Sequence, residues 1–138
     1  MNPVKNLFLV DDDDLYVFLT KKIMEGTHMV EQINVFGNGK NAIDFIKENA
    51  ANTELLPEII FLDINMPVLD GWGFLEDYIL LMPELGKKIT IYIVSSSISP
   101  HDVEKAKTLN AVADFIVKPF TKEKFLSAIE KHYENSPV

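Results

Sequence analysis

The chain has no cysteine, which removes disulfides, thiol catalysis and cysteine metal sites at once. It also lacks a basic balance, carrying a formal net charge of -8. A broad electrostatic hold on nucleic acid or an anionic membrane needs a cationic face, so neither direct nucleic-acid binding nor membrane binding is expected. Long hydrophobic runs are missing too. At the amino terminus only Leu7 to Val10 are continuously apolar before four aspartates. That is too short for a signal peptide or a membrane span, so a cytoplasmic protein is expected. No glycine-serine linker, low-complexity tract or repeat interrupts the sequence. Its 138 residues, 47% apolar and 25% charged, fit one globular domain over 1–138 with a core from about 4 to 134.

What is present is an alternation organised around Ile59 to Gly71. Ile59, Ile60, Phe61 and Leu62 read as a strand buried on both faces, stopped by Asp63 and followed by the turn residues Asn65, Pro67, Asp70 and Gly71. The same grammar runs through the chain. Leu7 to Val10 form a first strand, and Leu15, Phe18, Leu19 and Ile23 form the buried stripe of a helix that Asp13 or Asp14 caps and Gly26 closes. Val30 to Phe36, Ile89 to Val94 and Ala113 to Val117 supply three more strands. Further helical stripes fall at Ala42, Phe45 and Ile46; at Phe74, Leu75, Tyr78, Ile79 and Met82; at Val103 and Ala106 after Pro100; and at Phe125, Leu126, Ile129 and Tyr133. Five strands alternating with five helices predict an α/β doubly wound parallel sheet with helices on both faces.

In such sheets ligands bind at the carboxyl ends of the strands. Asp11 and Asp12 follow the first strand, Asp63 the third, Ser95 the fourth and Lys118 the fifth. Each alone has a bland reading, as a cap, a loop hydroxyl or a surface lysine. Together they all face one crevice under a single topology. Close carboxylates repel until protonation or a cation relieves them, and hard oxygen ligands without histidine or cysteine favour Mg2+. His28, His101 and His132 lie too far apart in sequence to suggest a metal site. Trp72 reads as packing, and Lys118-Pro119 is a candidate cis peptide.

At this point the sequence resembles the receiver domain of two-component response regulators. The matching segments are LVDDDD at Leu9 to Asp14, FLDINMPVLDG at Phe61 to Gly71, IVSSS at Ile93 to Ser97 and DFIVKPF at Asp114 to Phe120. The resemblance implies a flavodoxin-like (βα)5 fold with strand order 2-1-3-4-5. Only Glu134 to Val138 remain after Tyr133, so a stand-alone, chemotaxis-regulator-like protein with no output domain is expected. Asp63 would be the phosphoacceptor, Lys118 the phosphate partner, Ser95 the switch hydroxyl and Phe115 the switch aromatic. Magnesium would be held by Asp12, Asp63 and the backbone carbonyl of Asn65, with Asp11 acting mostly through water. The implied partners are a sensor histidine kinase or histidine phosphotransfer protein, and a downstream protein met through the fourth helix, fifth strand and fifth helix. A homodimer is a further option. Two departures from the family pattern stand out: serine at position 95 keeps the hydroxyl of the more frequent threonine, and Phe115 lacks the hydroxyl of the more frequent tyrosine.

Two other classes compete with this reading. A magnesium hydrolase with an aspartate nucleophile would want a second acid two residues after it, where Asn65 stands. A nucleotide or flavin module would want a glycine-rich phosphate loop after the first strand, where four aspartates stand instead.

Overall fold

The computed structural model describes residues 2–134; residues 1 and 135–138 lie outside the described part. The elements run β1 (Val4–Val10), α1 (Asp14–Gly26), β2 (Val30–Phe36), α2 (Gly39–Glu48), β3 (Ile59–Asp63), α3 (Gly71–Leu81), β4 (Thr90–Ser95), α4 (Pro100–Leu109), β5 (Asp114–Val117) and α5 (Lys122–Glu134), with a short 3-10 turn at Met82–Glu84. All strand pairs are parallel, and the order is β2-β1-β3-β4-β5. This is the flavodoxin-like arrangement, with its topological switch point between β1 and β3.

The central strands are apolar along their length because helices cover both faces of the sheet. All five residues of β3 are buried, and β1 exposes only Lys5. Alternation along each strand then divides the core in two. Phe8, Val10, Ile60, Leu62, Ile91 and Ile93 pack with Ala42 and Ile46 of α2, Phe74 and Leu75 of α3 and Ala106 of α4. Leu7, Leu9, Ile59, Phe61, Tyr92 and Val94 pack with Met24 of α1 and with Phe125, Ala128 and Ile129 of α5. Phe61 stacks on Tyr92 at 5.5 Å and meets Phe120 edge-on at 5.3 Å. Full burial of one such side chain contributes about 1.5 to 3 kcal/mol.

Side-chain caps start the helices that follow β1 to β4. Asp13 accepts from the Tyr16 amide at 3.1 Å, Asn38 from Asn41 at 2.8 Å and Asp70 from Gly73 at 2.8 Å. Ser99 and Asp102 form a reciprocal capping box on α4. These caps hold the amino ends of α1 to α4 at the carboxyl edge of the sheet, beside the acidic loops.

The facing of α1 departs from the expectation. Leu15, Phe18 and Leu19 are 68%, 56% and 51% exposed, whereas Thr20 and Met24 are buried and Tyr16 and Val17 pack half-buried against the core. The helix carries two possible apolar arcs, and composition favours the more oily one. The Asp13 cap and the row Tyr16, Thr20, Met24, spaced i, i+4, i+8, set the rotation that occurs. Smaller differences follow the same logic at element ends. Gly26 is the last residue of α1, and the left-handed backbone falls at His28 (φ 56) instead. Met82 leaves α3 for the 3-10 turn and is 45% exposed, and Leu126 points outward at 36%.

Gly71 is fixed by close approach. A Cβ there would lie 2.6 Å from the Asp63 carbonyl oxygen and 2.8 Å from the Ile64 Cα, both backbone atoms without freedom to retreat. Gly71→Ala is expected to destabilise the fold by about 1 to 3 kcal/mol through this overpacking. A chemical-denaturation midpoint equal to that of the parent protein would contradict it.

Candidate functional site

Val10 of β1 and Leu62 of β3 are register partners, so the next residues, Asp11 and Asp63, emerge side by side at the switch point. The chain supplies Asp12 from the same β1 exit. One carboxylate oxygen from each of Asp11, Asp12 and Asp63 lies within 4.8 Å of the other two. Asp11 and Asp63 are buried at 3% and 7% exposure, while Asp12 faces solvent. Hard oxygen donors at this spacing fit a small divalent cation such as magnesium.

Each buried acid has distinct support. Asp11 Oδ1 accepts from the Asp13 amide at 2.9 Å, and Oδ2 accepts from Lys118 Nζ at 3.1 Å. Asp63 has only a long contact from the Asn65 amide, 3.4 Å to Oδ1. Its pKa is pushed up to about 6, first by burial and then by the Asp11 charge, with Lys118 opposing. A carboxyl group in that condition is under-compensated, and a cation in the crevice would relieve it.

Lys118 follows β5 and reaches back across the sheet edge. Its amide donates to the Ser95 carbonyl at 2.8 Å, which ties the two strand ends together, and the Lys118-Pro119 peptide is cis. Its ammonium lies 4.0 Å from the centroid of the Tyr16 ring. Tyr16 is a site residue that the sequence reading misses. Its signal is the inward row of α1, which the oilier arc conceals. Burial drives the Tyr16 phenol pKa upward, and the hydroxyl makes no hydrogen bond of ordinary length, although Thr20 is nearby.

Ser95 ends β4, is buried, and donates its hydroxyl to the Ser97 carbonyl at 2.8 Å. Phe115 is not at the strand end beside it. Phe115 pairs with Ile93, two residues behind Ser95, and its half-buried ring packs against the α2-α3-α4 side of the core. The ring lines a cleft of about 340 Å³ between α4 and β5, and a second cleft of about 420 Å³ lies between β5 and α5. The histidines stay apart, as expected. His28 and His101 are exposed, and His132 is buried on α5 with Nδ1 2.8 Å from the Thr90 hydroxyl. Trp72 packs against the core, with Lys105 Nζ 4.8 Å from its ring centroid.

Comparison with known proteins agrees with this geometry. Residues 7–130 match the response regulator receiver domain family. The chain is 24% identical over 125 residues to the probable methanogenesis regulatory protein FilR2 of Methanothrix harundinacea, covering 91% of this chain and 79% of that protein. It is 34% identical over 121 residues to a protein-glutamate methylesterase/protein-glutamine glutaminase of Desulfotalea psychrophila, a match that takes in 86% of this chain but only 31% of that longer protein. A two-component response regulator from Cytophaga hutchinsonii superposes with a TM-score of 0.82 at 31% identity, over 97% of this chain and 100% of that one. The chemotaxis protein CheY4 of Vibrio cholerae, at 20% identity, shares the fold with a TM-score of 0.74 over 93% of this chain and 98% of its own. Among the described residues no helix is long and apolar enough to cross a membrane. Receiver domains bind magnesium at an acidic pocket, and the Asp11, Asp12 and Asp63 oxygens form one here. The chain belongs to the response regulator receiver domain family, and it is a signalling unit of two-component systems.

Proposed function

We propose that this chain is a cytoplasmic phosphoacceptor response regulator. It takes phosphate from a histidine kinase or histidine phosphotransfer protein onto Asp63, with Mg2+, and signals to a partner protein through a conformational switch. The observation that carries this reading is Asp63 itself: a buried, under-compensated carboxylate beside the ion pair of Asp11 and Lys118, at the switch point of the sheet. The activity is the domain's own phosphotransfer and slow dephosphorylation, not turnover of a metabolite.

In the transfer, an Asp63 carboxylate oxygen forms a bond to phosphorus as the bond from phosphorus to the donor imidazole breaks. The imidazole nitrogen keeps the bonding pair and, protonated on its other nitrogen, leaves neutral. A carboxylate is a weak nucleophile, so the protein's contribution is positioning and neutralisation of the equatorial oxygens. Asp12, Asp63 and the Asn65 carbonyl would hold the metal, which supplies positive charge to those oxygens. Both Asp11 oxygens already have partners, which supports its acting through water. Lys118 turns from Asp11 to the new phosphate. Asn65 and Ser97, both exposed and short, flank the acyl phosphate and set how freely hydrolytic water approaches.

Once phosphate is present, the Ser95 hydroxyl leaves the Ser97 carbonyl for a phosphate oxygen. That draws the end of β4 toward Asp63, and the shift passes back along β4 to Ile93, the register partner of Phe115, freeing the ring to move within the α4-β5 cleft. The α4-β5-α5 face, with its two clefts, is then the surface offered to a downstream protein or a second copy. The donor side is supported by α1, where Leu15, Phe18 and Leu19 form an exposed apolar row beside the acidic loop.

Asp63→Asn is expected to abolish the phosphate adduct formed with a small phosphodonor, read by intact mass; an undiminished adduct would sink the assignment. The same variant tests the electrostatics. A carboxyl raised from 3.8 to about 6 binds its proton more tightly in the folded state, so its ionisation weakens the fold as pH rises from about 4 through 6. In metal-free buffer at pH 8, Asp63→Asn should therefore be more stable than the parent by about 1 to 3 kcal/mol, a gap that narrows toward pH 4. A gap independent of pH between 4 and 8 would contradict burial and the Asp11 charge as its cause.

Ser95→Ala should still accept phosphate but lose the chemical-shift response around Phe115, a coupling of about 1 to 3 kcal/mol. Equal responses in parent and variant would leave Ser95 a loop residue. Replacing Leu15 and Phe18 with aspartate should slow transfer from a protein donor by about tenfold or more while leaving small-donor phosphorylation unchanged, as expected for loss of an interface anchor. Equal slowing with both donors would remove α1 from the docking surface.

A further inference from the structure

Lys118 has a flexible four-carbon stem and a freely rotating charged head, so its usefulness depends on what holds the head in place. Two contacts do so: Asp11 Oδ2 at 3.1 Å and the face of the Tyr16 ring, 4.0 Å from its centroid. The ion pair is a temporary hold in the proposed chemistry, because the ammonium must leave Asp11 to meet a phosphate on Asp63. The ring contact need not break. An aromatic face attracts a cation through a diffuse quadrupole and lets it slide, without claiming a particular N–H.

We propose that Tyr16 is a positioning residue for Lys118, its ring keeping the ammonium in the crevice beside Asp63 while the pair with Asp11 opens and closes. The inference rests on the phosphoacceptor reading and adds a residue that the matched motifs do not include. Three observations support it. The Asp13 side chain bonds the Tyr16 amide, so the cap at the acidic loop also fixes where the ring stands. Tyr16 belongs to the row that α1 turns inward, while Leu15, Phe18 and Leu19 of the same helix face outward. Among the described residues the buried Tyr16 hydroxyl has Thr20 nearby but makes no hydrogen bond of ordinary length, so its oxygen is a poor anchor for the ring, and its useful surface is the face under Lys118.

The test compares Tyr16→Phe, which keeps the ring, with Tyr16→Leu, which keeps only bulk. The first readout is the NMR position of the Lys118 ε-methylene protons in the unphosphorylated protein. A ring face 4.0 Å away should hold them upfield of the other lysines in the parent and in Tyr16→Phe, and Tyr16→Leu should return them to the common position. The second is the rate of phosphorylation by acetyl phosphate at saturating magnesium. It should be unchanged in Tyr16→Phe and about tenfold slower in Tyr16→Leu, the scale of a partly desolvated cation-π contact. Magnesium affinity and the unfolding midpoint should change little, which separates loss of position from loss of the acidic site or the fold.

Lys118 resonances at the common lysine position in the parent would overturn the proposal. So would a Tyr16→Leu protein that accepts phosphate at the parental rate. If the parent itself takes no phosphate on Asp63, the phosphoacceptor reading fails, and the ε-methylene shifts still decide whether the ring holds the lysine. Should Tyr16→Leu not fold, Tyr16→Met carries the same comparison.

Discussion

Three carboxylate oxygens within 4.8 Å of one another repel, and a fold that buries two of the three residues must absorb that cost. In water such a pair would separate or take up a proton. Here the register of β1 against β3 denies them separation, since Val10 and Leu62 are locked as neighbours in the middle of the sheet. What remains is compensation from outside the strands, and Lys118 and the Asp13 amide supply part of it at Asp11. Asp63 receives less. Its pKa is raised first by burial and then by the Asp11 charge, and a cation in the crevice would offset both.

Holding that arrangement falls to residues with little chemistry of their own. The Gly71 amide bonds the Ile64 carbonyl at 2.8 Å, and the Gly39 amide bonds the Leu69 carbonyl at 3.0 Å, which draws the β3-α3 loop against α2. A Cβ at Gly39 would fall 2.5 Å from the Leu69 oxygen, so both glycines are closures that no side chain could occupy without moving backbone. Beneath them, apolar residues on both sides of every central strand make the sheet a rigid base. The site is therefore built on strand ends that cannot drift.

Most of this architecture can be read from the sequence, because fully buried parallel strands are short uniform runs and their ends are marked by abrupt polarity. Ile59 to Asp63 and Leu7 to Asp11 stand out in that way, and the acids, Ser95 and Lys118 inherit their positions from the strands that precede them. The remainder depends on rotation and register. The rotation of α1 depends on a cap and an inward tyrosine that compete with oilier residues one position away, and periodicity alone cannot choose between two arcs of one helix. The contact of Tyr16 with Lys118 joins residues more than 100 positions apart and exists only after that rotation is set. The position of Phe115 behind Ser95 instead of beside it is a matter of register, which a four-residue edge strand does not announce.

The indole near the start of α3 belongs to the only tryptophan in the chain. Lys105 of α4 places a full positive charge 4.8 Å from its centroid, so the spacing of two helices on the signalling side of the sheet is converted into an electric field on a single chromophore. Indole emission responds to local fields. Motion of α4 against α3 is thus written in the colour and brightness of one unlabelled residue, and the protein carries its own optical gauge of the helix nearest its clefted face.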